Sequence, residues 1–215
     1  MRIGLLRHFP VCMKFPTGLK TVAELQAWRE SYDLADTTVG KADLGGVAWQ
    51  ACISSDLPRA YITASALFPG QVQLIAMLRE PRFAQLETGN LRLPVWVWQW
   101  VLWLCWMTGH QSQRACRDEF RQRVCDVADE LSALDQDTLV VSHAGIMAYL
   151  SSELRRRGFV GPKLRIAKHA TAYVFEKTLS GPAAKRNEAN ATPAAPAETR
   201  DVKIPRGHHT YTVRL

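Results

Sequence analysis

Four side chains in this sequence have the chemistry to bind and attack a phosphoryl group. Arg7 and His8 directly follow a short apolar run near the start of the sequence. Arg59 lies just after a second apolar run, and His143 directly follows a later one. Guanidinium groups bind phosphate oxygens in pairs, and a neutral imidazole can attack phosphorus as a nucleophile. The residue types therefore favour phosphoryl chemistry at a site where these four side chains meet.

Such chemistry also needs a proton donor for the leaving alkoxide. Glu80 lies just past a third apolar run and is the best-placed carboxylic acid. The alternative interpretation of Glu80 is a solvated carboxylate that pairs with Arg79 or Arg82. We expect Glu80 to act as the general acid.

The elements that must position these residues follow from the hydrophobic pattern. Apolar runs alternate with stretches of helical period, which is typical of a parallel sheet with helices on both faces. Predicted strands span about 2–6, 49–54, 72–77, 138–142, 172–176 and 210–215, and predicted helices span about 21–32, 56–67, 114–134 and 145–157. Ligands of such sheets bind outside the carboxyl ends of the strands, where helix N-termini add backbone donors. The two arginines and two histidines would meet in that crevice.

Local signals mark the ends and faces of the predicted helices. Thr21 followed by Glu24 forms a capping box, and Asp56 is placed to cap the second helix. The third predicted helix carries apolar side chains along one face: Phe120, Val124, Val127 and Leu131. We expect that face to pack in the core.

The composition fits one globular domain and narrows the class of partner. The chain has 215 residues, of which 47% are hydrophobic, and a formal net charge of +7. A basic protein could bind nucleic acid, an anionic membrane surface or small anions. The cations do not alternate with aromatic residues in a nucleic-acid motif, so we expect a small phosphorylated substrate and no nucleic acid. Five scattered cysteines and a very short first apolar run predict a cytoplasmic protein without disulfides or a signal peptide.

The segment 93–107 is rich in tryptophan and apolar almost throughout. It is shorter than the roughly 20 residues of a membrane-spanning helix and contains Gln99, so no membrane span is expected. On a helix, its apolar side chains would cover nearly the whole circumference. We expect a buried helix that also forms a partly apolar pocket wall. A lid over the site and a homodimer contact are the alternatives.

We treat residues 1–215 as a single domain with two unusual stretches. An apolar, tryptophan-rich insertion spans about 81–113, and an excursion of small residues spans about 179–200. The excursion lacks an apolar period, which is typical of a solvated and flexible connection. Because predicted strands flank it, we expect a long hairpin connection between 172–176 and 210–215.

Four motifs occur in the order and approximate spacing of a known family: Leu6-Arg7-His8, the segment 54–60 around Arg59, Leu78-Arg79-Glu80, and the segment 141–145 around His143. From residue 1 to about 176 the sequence resembles the histidine phosphatase superfamily, which includes the phosphoglycerate mutases. The resemblance implies a phosphoglycerate mutase-like fold, namely a three-layer α/β/α sandwich with a mostly parallel central sheet. It also implies that neither a metal nor a cofactor is used.

The resemblance implies a role for each candidate residue. His8 would be the nucleophile that becomes a phosphohistidine. Glu80 would protonate the leaving group and later activate water. Arg7, Arg59 and His143 would bind the phosphoryl group and stabilise its transfer, so His143 counts among the catalytic residues as well.

The sequence departs from the family pattern in three places. Phe9-Pro10 follows the histidine, where the family usually has glycine and a polar residue, so the backbone there is stiffer. Lys14 falls near a family position that often contacts phosphate, and it is a further phosphate-binding candidate. Glu87 lies in a partial match to a downstream family motif and competes with Glu80 for the role of the acid.

The remaining four histidines do not have the spacing of a metal-ligand set. The adjacent pair among them would point to opposite sides of a strand. We interpret all four as non-catalytic: His110, His169, His208 and His209.

These features predict a metal-independent phosphomonoesterase of the histidine acid phosphatase type that works through a phosphohistidine on His8. A phosphomutase of the phosphoglycerate mutase type is the alternative among enzymes. A non-catalytic phospho-ligand binding protein is the alternative from a different class. Substrate specificity is expected to lie in the insertion, at 81–113.

Overall fold

The computed structural model describes residues 1–84 and 86–177, together with the backbone of 201–206 and 209–214. The strands in these ranges are β1 (Arg2–Arg7), β2 (Leu19–Lys20), β3 (Ala51–Ser54), β4 (Val72–Leu74), β5 (Leu93–Pro94), β6 (Thr138–Ser142), β7 (Ala172–Glu176), β8 (Asp201–Arg206) and β9 (His209–Arg214). The helices are α1 (Val22–Leu34), α2 (Pro58–Leu67), α3 (Val95–Thr108), α4 (Gln111–Ser132) and α5 (Ala144–Arg156), with a 3₁₀ turn at Ala76–Leu78.

Five strands form the central sheet in the order β4-β3-β6-β1-β7. The first four are parallel, and Val140 of β6 lies opposite both Ile53 of β3 and Leu5 of β1. β7 completes the sheet antiparallel to β1. The predicted, mostly parallel sheet is confirmed. The carboxyl ends of β3, β6 and β1 lie side by side, and β7 begins at that same edge.

Helices cover both faces of the sheet because successive strand side chains point to opposite faces and both sets are apolar. Ile3 and Leu5 pack on one face with residues of α4 and α5. Leu6 and Val141 pack on the other face with residues of α2. The predicted apolar face of α4 is buried in the first of these cores: Phe120, Val124, Val127 and Leu131. The three-layer α/β/α architecture is therefore confirmed.

The N-termini of α1 and α2 differ in how they are capped. Thr21 Oγ1 accepts the Glu24 N–H at 3.1 Å, and Glu24 Oε2 accepts the Thr21 N–H at 2.8 Å, which confirms the predicted capping box. The predicted cap by Asp56 is wrong, because α2 begins without a side-chain cap. The carboxylate oxygens of Asp56 instead accept bonds of 2.7 and 2.5 Å from Arg79. A bidentate pair of two opposite charges is stronger than a single bond to a backbone N–H, so it takes the carboxylate away from the helix.

The C-terminal pairing differs from the prediction. β9 pairs antiparallel with β8 in a separate two-stranded sheet, so the predicted hairpin between 172–176 and 210–215 is wrong. β7 pairs instead with β1, where Phe175 lies opposite Ile3 and both side chains are fully buried. Burial against the main core outweighs proximity in sequence at this edge. The predicted excursion at 179–200 lies outside the described residues.

Helix α3 lies in the predicted insertion and is buried along one side only. Trp98 and Trp106 are buried, and their indole N–H groups donate to the Lys20 carbonyl at 2.7 Å and to the Tyr149 hydroxyl at 2.9 Å. The opposite face is exposed: Trp96 (64%), Trp100 (63%), Trp103 (51%), Leu104 (55%) and Met107 (55%). The predicted burial holds for one side of α3 and is wrong for the other, because α3 sits at the margin of the fold. Within the described ranges, no helix has the length and apolarity needed to cross a membrane.

Candidate active site

His8 lies at the carboxyl end of β1 with its ring almost completely buried. Its backbone N–H donates to the Ser142 carbonyl at 3.0 Å, and the side chain is 3% exposed. Nδ1 lies 2.6 Å from the Phe9 carbonyl oxygen, which can only accept, so Nδ1 carries the proton. Burial, with the charges of Arg59 and Arg7, lowers the pKa of His8 to about 3. The neutral ring therefore has its lone pair on Nε2, as a nucleophile requires.

His143 follows β6 and occupies the N-cap position of α5, beside His8. The two ring centroids are 5.2 Å apart, and His143 Nε2 lies 3.0 Å from the Ser55 hydroxyl. Burial and the nearby charge of Arg59 lower the pKa of His143 well below its ordinary value. Two neutral imidazoles thus lie together at the positive end of a helix dipole, where an anion is favoured.

Arg7 and Arg59 supply the fixed positive charge of the site. Arg7 ends β1, and its guanidinium donates to the Ala167 carbonyl at 2.8 Å. Arg59 lies in the first turn of α2 and is only 2% exposed. Its guanidinium lies 5.1 Å from the centre of the Tyr32 ring and donates to Asp33 Oδ1 at 2.8 Å. These contacts hold the Arg59 fork in one orientation, which suits the binding of a phosphoryl group.

Glu80 lies beyond the 3₁₀ turn that follows β4, and its carboxyl contacts the first turn of α5. Oε1 accepts the Gly145 N–H at 2.8 Å. Burial raises the pKa of Glu80, although Arg29 and the Gly145 N–H favour the charged form. A carboxyl with a raised pKa keeps its proton at a higher pH, which suits a general acid.

Polar atoms without a partner gather in this crevice. Among the described residues, the buried side-chain atoms that make no hydrogen bond include Arg7 Nε, Arg59 Nε, Glu80 Oε2 and His143 Nδ1. Buried polar groups in folded proteins are nearly always satisfied, so such a cluster indicates a site for a polar ligand.

The two rival candidates lie on the surface. Lys14 has an exposed side chain, and its carbonyl accepts the Trp28 indole N–H at 3.2 Å. Glu87 is exposed in the loop before α3, whereas Glu80 is half-buried and its carboxyl lies against the first turn of α5. The geometry therefore favours Glu80 over Glu87 as the acid and shows no contact of Lys14 with the other candidates.

His169, which the sequence pattern marked as non-catalytic, lies against the candidate nucleophile. Its ring centroid is 5.2 Å from that of His8, and its Nδ1 donates to the His8 carbonyl at 2.7 Å. The next residue, Ala170, donates its N–H to the Arg7 carbonyl at 2.9 Å. The sequence position of His169, just before β7, could have indicated this contact. An antiparallel strand begins at the edge of the sheet where its parallel neighbours end.

Three further polar side chains support the site, and residue type alone did not single them out. Asp33 on α1 holds Arg59, and Ser55 contacts His143. Thr63 on α2 accepts the Phe9 N–H at 2.9 Å and donates to the Arg59 carbonyl at 2.7 Å. These contacts tie the residue after His8 to the helix that carries Arg59.

Within residues 1–84 and 86–177, no three His, Cys, Asp or Glu side chains are grouped so that they could hold a metal ion. The crevice presents instead two arginines, two neutral histidines and one buried carboxyl. Together these groups can bind a tetrahedral oxyanion, attack its central atom and protonate a leaving oxygen.

Comparison with known proteins gives a family for the chain. The histidine phosphatase superfamily (branch 1) model matches residues 37–188. No curated protein sequence matches significantly. Similar solved structures include a mycobacterial glucosyl-3-phosphoglycerate phosphatase, with 20% identity, 72% of this chain and 79% of that chain covered, and a TM-score of 0.44. A phosphoserine phosphatase from Entamoeba histolytica, in complex with 3-phosphoglyceric acid, has 15% identity and a TM-score of 0.40, with 72% of this chain and 80% of that chain covered.

The matched range includes Arg59, Glu80 and His143 and begins after His8. It spans more than half of the 215 residues. The chain therefore belongs to the histidine phosphatase superfamily, branch 1, and this membership supports a phosphatase-type or mutase-type activity.

Proposed function

We propose that this protein hydrolyses phosphomonoesters through a covalent phosphohistidine on His8. The observation that carries the proposal is the hydrogen bond of 2.6 Å from His8 Nδ1 to the Phe9 carbonyl. It fixes the tautomer that has a lone pair on Nε2, inside a crevice with two arginines and a second neutral histidine. A ring held in this way is ready to attack phosphorus without first losing a proton.

The first step transfers the phosphoryl group to the protein. His8 Nε2 forms a bond to phosphorus while the bond from phosphorus to the ester oxygen breaks, and Glu80 gives its proton to the departing oxygen. Arg7, Arg59 and His143 stabilise the charge on the three remaining phosphoryl oxygens. The free alcohol leaves.

The second step returns the enzyme to its starting state. Glu80, now a carboxylate, takes a proton from water as the water oxygen bonds to phosphorus. The bond between phosphorus and Nε2 of His8 breaks, and inorganic phosphate leaves. A phosphomutase would follow the same first step and replace water by a second alcohol.

The pH dependence of the rate follows from the two perturbed groups. Because the pKa of His8 is lowered to about 3, the nucleophile stays neutral through mildly acid pH. Because burial raises the pKa of Glu80, the acid stays protonated to a higher pH than an exposed glutamate would. We expect activity to persist well below pH 6.5, the ordinary pKa of histidine, and to fall on the alkaline side as Glu80 loses its proton.

Trapping of the intermediate tests the proposal. The protein is mixed with p-nitrophenyl phosphate, quenched in alkali, in which phosphohistidine survives, and digested for mass spectrometry. We expect phosphate on the peptide that contains His8, and neither label nor turnover in His8→Ala. His110→Ala is the matched control, because it removes an exposed histidine outside the crevice. Full turnover by His8→Ala would refute the mechanism, and faster transfer to an added alcohol than to water would favour the mutase.

A further inference from the structure

A cavity of about 390 Å³ opens beside the crevice, between α1, the loop after Glu80 and α3. Val22 and Leu25 of α1 line it, as do Phe83 of the loop and Val95 and Leu102 of α3. This volume lies within the range of small-molecule sites, which are mostly apolar. The cavity therefore has the size and lining of a ligand site.

Two of the charged lining residues connect the cavity to the candidate catalytic groups. Asp33 lines the cavity, and its Oδ1 accepts the hydrogen bond of 2.8 Å from Arg59. Arg29 also lines the cavity, and its charge contributes to lowering the pKa of His143. An ester whose phosphoryl group binds Arg59 thus has this cavity beside it for its alcohol part.

The polar side chains of the lining lie at the rim, except Arg29 and Asp33, which are half-buried on the side of Arg59. Gln26, Glu30 and Gln99 line the cavity and have exposed side chains, whereas Val22 and Val95 are only 8% and 6% exposed. Where the walls are apolar, a polyhydroxylated alcohol would bury hydroxyl groups without hydrogen-bond partners, which is costly. An apolar alcohol loses nothing there and gains from leaving water.

We infer that the cavity receives the alcohol part of the substrate, and that the preferred substrates are phosphomonoesters of large apolar alcohols. The inference rests on the proposed function, because it names the substrate class of the same site. Sugar phosphates and phosphoglycerate-like esters would be poor substrates by comparison.

A series of n-alkyl phosphates from ethyl to hexyl tests the inference. The alcohols in this series have nearly equal acidity, so the chemical step stays constant while the buried apolar area grows. We expect kcat/KM to rise about threefold to fourfold for each methylene, or roughly a hundredfold from ethyl to hexyl phosphate. A flat series would refute the inference while leaving the phosphohistidine mechanism intact.

Two leucines of α3 provide a matched pair of variants. Leu102 lines the cavity, whereas Leu104 is 55% exposed and does not line it. Leu102→Gln should flatten the rise with chain length, and Leu104→Gln should keep the wild-type rise. An equal effect of both substitutions would point to general hydrophobic adsorption and overturn the assignment.

Binding of alkylphosphonates separates this inference from the proposed function, because the bond from carbon to phosphorus is not hydrolysed. Calorimetry should show hexylphosphonate binding roughly a hundredfold more tightly than ethylphosphonate, with the difference reduced in Leu102→Gln. Equal affinities would refute the cavity assignment. Selective binding together with phosphatase activity that His8→Ala retains would support the cavity and refute the mechanism.

Discussion

Gly145→Ala tests whether catalysis depends on the position of the Glu80 carboxyl. Gly145 lies in the first turn of α5 and donates its N–H to Glu80 Oε1 at 2.8 Å. A Cβ added at Gly145 would overlap Oε1 and lie 3.1 Å from the Glu80 Cδ and 3.3 Å from the Pro81 Cδ. Pro81 is rigid and follows Glu80 directly, so the carboxyl has to move.

The size of the effect follows from the overlap. Apolar atoms prefer separations of about 3.5–4.0 Å, so the carboxyl must move by roughly 1 Å. A misplacement of that size costs about a hundredfold in rate, within the range that general acid catalysis contributes. The effect on stability should be small, because overpacking costs about 1–3 kcal/mol whereas alanine gains up to about 1 kcal/mol over glycine in a helix.

Leaving-group dependence separates a misplaced acid from a general loss of structure. An alkoxide needs a proton to leave, whereas p-nitrophenolate needs much less help. Gly145→Ala should therefore lower kcat/KM, which reports transfer to His8 and not the later hydrolysis, by about a hundredfold for an alkyl phosphate and by about tenfold or less for p-nitrophenyl phosphate. Glu80→Gln should show the same dependence on the leaving group.

Gly40→Ala is the matched control, because a Cβ at Gly40 meets nothing within 4 Å. It should leave kcat unchanged for both substrates. The reasoning about Glu80 would be refuted if Gly145→Ala hydrolysed the alkyl phosphate at the wild-type rate. It would also be refuted if kcat/KM of a folded variant fell by the same factor with both substrates.

Four further predictions concern His8, Asp33, His169 and the exposed face of α3. Because the pKa of His8 is lowered to about 3, the unfolded chain binds a proton that the folded chain does not, so stability falls as pH drops from about 6.5 towards 3. The slope from this group is up to about 1.4 kcal/mol per pH unit, and denaturant unfolding of His8→Gln should lack it. Asp33→Ala removes the partner of buried Arg59 and should cost about 3 kcal/mol. Inorganic phosphate should raise the Tm of this variant more than that of the wild type, and equal shifts would contradict the pairing. His169→Leu removes the donor to the His8 carbonyl and should lower kcat about tenfold at constant KM. His169→Asn should restore kcat, whereas a changed KM in His169→Leu would argue against a positioning role. If the exposed face of α3 is a homodimer contact, sedimentation should show a dimer that Trp100→Glu converts to an active monomer, and a monomeric wild type would exclude this contact.

Residues adjacent to strand ends could be predicted from the sequence because their placement is local. Arg7 ends β1 and His8 follows it, and His143 directly follows β6. Arg59 lies in the first turn of the helix after β3. Once parallel strands were expected, these side chains had to lie at one edge of the sheet. The capping box at Thr21 and the apolar face of α4 were predictable for the same reason, since their partners lie a few residues away.

Contacts between distant segments could not be predicted in this way. Asp56 had the residue type of a helix cap, yet Arg79 comes close enough in the fold to bind both of its carboxylate oxygens. The choice between Glu80 and Glu87 depended on which carboxyl lies under the first turn of α5. The contact of His169 with His8 was not predicted, because it depends on β7 running antiparallel to β1.

By itself, the sequence determined the fold class, the edge of the sheet where the candidate site residues gather and the types of those residues. It did so because strand period, helix starts and motif spacing are properties of short segments. Only the tertiary structure decided which carboxyl is buried, which groups hold Arg59 and His8 in place, and which face of α3 stays exposed. Burial, pKa and cavity shape depend on contacts between residues that are far apart in the sequence, and local sequence patterns do not specify those contacts.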